Sequence, residues 1–104
     1  WAFNLERGAA LRAKWDLIPD GTDVLVTHGP PMGLGDRTVA GEHVGCQDLL
    51  HAIARVRPCV FVCGHIHEGY GIWRAGDTQV VNASTCDVRY RPIQPPVVLD
   101  LDSA

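Results

Sequence analysis

In the stretch Pro58-Cys59-Val60-Phe61-Val62-Cys63-Gly64-His65-Ile66-His67-Glu68-Gly69-Tyr70-Gly71, an apolar run gives way abruptly to glycines and histidines. Cys59–Cys63 is apolar at every position, the pattern of a strand covered on both faces of a sheet. Upstream, Cys46, Leu49, Leu50, Ile53 and Val56 recur at i, i+3, i+4, i+7 and i+10, one stripe of a helix that Pro58 stops. Further back, Asp23–Thr27 reads as a short buried strand and Glu6–Leu17 as a helix closed by Pro19. Residues 32–43, with glycine at 33, 35 and 41 and no hydrophobic period, form a loop. Downstream, strands are expected at Gly71–Arg74, at Thr78–Asn82 after the turn Ala75-Gly76-Asp77, and at Val97–Leu101 after Pro95-Pro96. Strand, helix, strand makes a βαβ unit with parallel pairing, and the tail suits antiparallel hairpins. The expected class is α/β, with the α/β layer packed on a second sheet.

The chain has 104 residues, 46% of them hydrophobic and 20% charged, which fits one globular domain. The five residues Cys59–Cys63 are its longest apolar run, far short of the ~20 of a membrane-spanning helix. A net charge of −3, without a basic tract, excludes coating of nucleic-acid phosphates or anionic lipid. The chain begins at Trp1, its only methionine is Met32, and no signal peptide is visible, so it reads as a piece of a longer polypeptide. Cys46, Cys59, Cys63 and Cys86 form no C-x-x-C pair. They are expected as free thiols in a reducing, cytoplasmic compartment, with Cys59 and Cys63 buried.

Histidine follows each of the first two strands: His28 after Val24–Thr27, and His65 with His67 after Cys59–Cys63. Ligands of open α/β sheets gather beyond the carboxyl ends of the strands, so His28, His65 and His67 are expected on one rim as metal ligands. Gly64, Gly69 and Gly71 give the backbone room to bring positions 65 and 67 together, and Gly29-Pro30-Pro31 stiffens the exit from His28. His43 and His51 are read as exposed bystanders. Glu68 is either a surface carboxylate or an orienting partner of an imidazole. Asn82-Ala83-Ser84-Thr85 is either a capped turn or a substrate contact.

These residues resemble the calcineurin-like metallophosphoesterases. Thr27-His28-Gly29-Pro30-Pro31 and Gly64-His65-Ile66-His67 are similar to the last two metal-binding blocks of that superfamily. Phe3-Asn4-Leu5, Arg7-Gly8, Val44-Gly45-Cys46 with Leu49-Leu50, Glu68-Gly69-Tyr70-Gly71, Asn82–Cys86 and Pro95-Pro96 are similar to its metallophosphoesterase domain-containing branch, related to the class III cyclic nucleotide phosphodiesterases.

The resemblance implies that residues 1–104 are the C-terminal half of a single four-layer α/β/β/α sandwich domain. It also implies two divalent transition metals (Mn, Fe or Zn) and a small phosphate-ester or nucleotide substrate. By position His28 and His65 would hold the second metal and His67 the first. Some vertebrate members of the branch carry glycine in place of His65 and have low activity. The family's earlier blocks, Asp-x-His and Gly-Asn-His or Gly-Asn-Asp, do not occur in this sequence. With half of the ligands outside it, the chain alone is expected to be a poor catalyst, with an uncovered sheet edge or face. Two other readings stand beside this one: a non-catalytic remnant, and a hydrolase with a single zinc on His28, His65 and His67.

Overall fold

A helix between two apolar strands dictates the core. The computed structural model describes residues 9–99 and residue 101. Helix α1 spans Ala9–Trp15, strand β1 Val24–Val26, helix α2 Gln47–Val56 and strand β2 Val60–Cys63. A 3₁₀ turn at His67–Gly69 leads into β3, Gly71–Ala75, and β4, Thr78–Asn82. The expected helix start at Glu6–Gly8 lies outside the described residues.

The strands form a mixed sheet in the order β1-β2-β4-β3. β1 and β2 pair in parallel, as do β2 and β4, and the hairpin pairs β3 antiparallel to β4. The carboxyl ends of β1, β2 and β4 therefore share one rim. Leu49 and Ile53 of α2 pack on Phe61, Cys63 and Val80, with Leu25, Trp73 and Ala75 around them. α2 ends as its sequence dictates: Arg57 turns left-handed at φ 51°, its N–H returns to the Ile53 carbonyl, and Pro58 follows. α1 lies against α2. The Arg55 guanidinium ties the two together by donating to the carbonyls of Trp15 and Ile18 and to Asp20.

Three expectations are corrected. Val97–Leu101 forms no strand among the described residues. Pro95-Pro96 leads into it, and Val98 lies 87% exposed. β1 is not a buried strand: Val24 and Val26 are 42% and 68% exposed on its outward face. The described strands make one mixed sheet. Among the cysteines, Cys63 is buried but Cys59 is exposed, one residue before β2 begins, and all four thiols are free. Burial and the neighbouring charge of Asp36 push the Cys63 thiol up to about 12, which makes it inert packing at neutral pH.

Gly69 marks the tightest approach in the fold. A Cβ there would stand 2.1 Å from the Gly35 carbonyl oxygen, and that oxygen belongs to backbone already held by the Asn82 amide. Gly69→Ala is expected to destabilise the protein by about 2 kcal/mol or more. Urea midpoints will show this, and an unshifted midpoint would refute the close approach.

Candidate functional site

Two ladder bonds carry the parallel pairing past the ends of the strands. Thr27 N–H donates to the Val62 carbonyl, and Gly64 N–H donates to the His28 carbonyl. The backbone of His28 is thereby fixed against Gly64-His65. The imidazoles then meet: His28 Nε2 and His65 Nδ1 are 3.1 Å apart and the ring centroids 4.5 Å. His65 reaches this position with φ 66°, a left-handed conformation uncommon outside glycine. Of the sequence-predicted glycines, Gly64 has only ordinary contact around a would-be Cβ; the left-handed bend falls on His65 itself.

His67 opens the 3₁₀ turn, and its Nδ1 lies 3.1 Å from the Asp87 carbonyl. Donation from Nδ1–H leaves the lone pair on Nε2, the usual way a protein orients an imidazole for a ligand. The three histidines line one open cleft of ≈ 550 Å³ with Glu68, Val88 and Tyr90. Burial, together with the charges of His28 and His67, lowers the pKa of His65 below its ordinary value, which favours the neutral imidazole. The donor set is therefore imidazole nitrogen, softer than the all-oxygen shells that Mg and Ca prefer.

The three expected histidines share this cleft. Among the described residues, no three His, Cys, Asp or Glu side chains are gathered closely enough to hold one metal. Glu68 lines the cleft, but its Oε2 accepts the Val39 N–H, which braces a loop. Asn82 is fully buried: its amide donates to the Gly35 and Ile66 carbonyls, and its oxygen accepts from Ser84 N–H and Oγ–H. It thus holds the histidine turn to the end of β4, the bracing alternative to a substrate contact. His51 lines a different cleft, beside Arg57 and Asp77.

Sequence reasoning missed Asp36. Its carboxylate is fully buried and accepts from Gly33 N–H at 2.9 Å, Gly45 N–H at 2.8 Å and His43 Nδ1 at 2.7 Å. His43, read as a bystander, is half-exposed yet closes this node. Nothing in the spacing of 33, 36, 43 and 45 signals it. An acidic residue inside a glycine-rich loop between a strand and a helix is the one available hint.

No family model matches the chain. It is 53% identical over 103 residues to Metallophosphoesterase domain-containing protein 1 of Homo sapiens, across 97% of this chain and 32% of that protein. The Mus musculus protein of the same name matches equally. A UPF0046 protein of Caenorhabditis elegans is 48% identical over 102 residues, across 97% of this chain and 26% of that protein. A solved crystal structure superposes with a TM-score of 0.54 at 32% identity, over 71% of this chain and 28% of that one. The chain thus spans about a third of the length of the curated relatives it matches. Matched along nearly all of its own length, the chain is a homologue of Metallophosphoesterase domain-containing protein 1 and of a UPF0046 protein.

Proposed function

We propose that this chain carries the histidine side of a metal-dependent phosphoesterase acting on small phosphate esters or nucleotides, cyclic nucleotides among them. The observation that carries the reading is the 3.1 Å between His28 Nε2 and His65 Nδ1. Two nitrogens each ~2.1 Å from a shared ion stand ~3.0 Å apart at a right angle and ~3.4 Å at a tetrahedral angle. The observed spacing, that of a hydrogen bond between the rings, lies between these, so the two nitrogens are close enough to share one cation. His67, set apart from that pair with its Nδ1 on the Asp87 carbonyl, is proposed to serve a second. The metals proposed are Mn, Fe or Zn. When bound, such a pair neutralises phosphoryl oxygens and lowers the pKa of water toward 7.

The roles of the chain's own residues follow from their anchors. Gly64 N–H and the Asn82 amide hold the turn that presents His65. The Asp87 carbonyl fixes the tautomer of His67. Three imidazoles bring no negative charge to balance two divalent ions, and the Asp36 and Glu68 carboxylates are engaged with loop N–H groups. The balancing carboxylates are therefore assigned to other parts of the whole protein, and the chain alone to poor catalysis. A four-layer sandwich for the whole domain is part of the same proposal, supported by the mixed sheet with α2 packed on one face. A cytoplasmic setting is supported by the four free thiols.

Calorimetric titration with Zn²⁺ tests the reading. His28→Ala and His65→Ala are each expected to weaken binding by at least about tenfold, with the surface variant His51→Ala as control. Equal affinity in His28→Ala would remove the pair from the metal site.

A further inference from the structure

One half of the cleft is imidazole and carboxylate; the other half is Val88 and Tyr90. Both of these apolar side chains are solvent-exposed, Tyr90 at 78%. The Tyr90 ring stands edge-to-face with His67, at 5.6 Å between centroids and 89° between planes. Its backbone is left-handed, φ 61°. For a bulky residue that is an outlier, and such strain clusters at ligand clamps.

The loop holding this conformation is closely tied. Asp87 Oδ1 accepts from the N–H groups of Arg89 and Arg91, and Oδ2 pairs with the Arg91 guanidinium. Tyr90 N–H donates to the Asp87 carbonyl. The Gln94 amide donates to the carbonyls of Ser84 and Cys86. The Tyr70 hydroxyl donates to the Pro95 carbonyl. The Asp87 carbonyl that orients His67 sits at the base of the same turn, so the ring and the imidazole are positioned by one element. An aromatic side chain fixed in advance loses little freedom when a ligand covers it.

We propose that Tyr90, flanked by Val88, is a specificity-determining platform for a flat aromatic group joined to the phosphate of the substrate. The proposal rests on the phosphoesterase reading and deepens it. The histidine half of the cleft takes the phosphoryl group, and the Tyr90 half stacks on the ring of the ester.

The test is calorimetry on the Zn²⁺-loaded whole protein with phenyl phosphate, cyclohexyl phosphate and inorganic phosphate. Phenyl and cyclohexyl groups match in size but only one is flat. Phenyl phosphate is expected to bind about fivefold tighter than cyclohexyl phosphate. That ratio should persist in Tyr90→Phe and fall to about one in Tyr90→Asn. Asparagine tolerates the left-handed backbone, so the turn survives the loss of the ring, and an unchanged melting temperature confirms it. A ratio near one in the wild type, or a ratio that persists in Tyr90→Asn, overturns the platform. If inorganic phosphate fails to bind while phenyl phosphate keeps its preference, Tyr90 still stacks on aromatic rings but the phosphoryl site, and with it the phosphoesterase reading, falls. If neither binds, both fall.

Discussion

His65→Gly is expected to reduce metal-dependent hydrolysis of bis-p-nitrophenyl phosphate by the whole protein by about a hundredfold or more, the scale of losing one preorganised electrostatic element. The fold should barely register the change. His65 has φ 66°, where an L side chain costs roughly 1–2 kcal/mol. Glycine relieves that strain but adds about 0.5–1 kcal/mol of unfolded-chain entropy, so the two nearly cancel. Steady-state turnover at saturating Mn²⁺ and a urea midpoint on the same preparation separate the effects. Unchanged turnover would show that His65 holds no catalytic ion. Turnover and midpoint falling together would point to misfolding instead.

The second large effect belongs to Asp36, where stability is at stake. Asp36→Ala strips the acceptor from two backbone N–H groups and an imidazole around a fully buried carboxylate. Breaking such a buried, hydrogen-bonded charge is typically worth about 3–5 kcal/mol, a large fraction of what a domain of this size possesses. The wild type carries a matching pH signature. Burial raises the Asp36 carboxyl pKa, but hydrogen bonds from His43, Gly33 and Gly45 outweigh it and hold the group below its ordinary value. A depressed folded-state pKa gives stability that is fully present above the unfolded value of about 3.9 and is lost as pH falls through the folded value. Urea midpoints at pH 7 and pH 3 should therefore converge in Asp36→Asn relative to the wild type. An Asp36→Ala midpoint equal to wild type at pH 7 would discard the node.

Elements whose signals are local were legible. The α2 stripe with Pro58 behind it fell within a residue of the observed helix, and the Ala75-Gly76-Asp77 turn placed β4 at Thr78–Asn82 as found. The placement of His28 and His65 beside one another was readable because two parallel strands ending in histidine must share a rim. Where the outcome depends on partners distant in sequence, the reading failed. Val97–Leu101 has strand-like composition but finds no ladder partner among the described residues. Leu25 alone in β1 turns toward the α2 core, so an apolar run became a half-exposed strand. Asp36 and Tyr90 act through loop geometry, the first by collecting N–H groups from both ends of a loop, the second through a backbone angle that tyrosine rarely adopts. No periodicity encodes either.

The sheet order carries a consequence for assembly. The β3–β4 hairpin closes over Gly76-Asp77, whereas β1 reaches β2 only across the long loop that contains Asp36 and then helix α2. Loop-closure entropy makes that pairing the costlier of the two to form. His28 and His65, 37 positions apart in sequence, sit on opposite sides of that seam. An ion gripping both rings would act as a removable cross-link, closing a loop of a size for which a disulfide yields roughly 3–4 kcal/mol by restricting the unfolded chain. Ion supply and the pairing of β1 with β2 would then be one linked equilibrium, each favouring the other by the same factor.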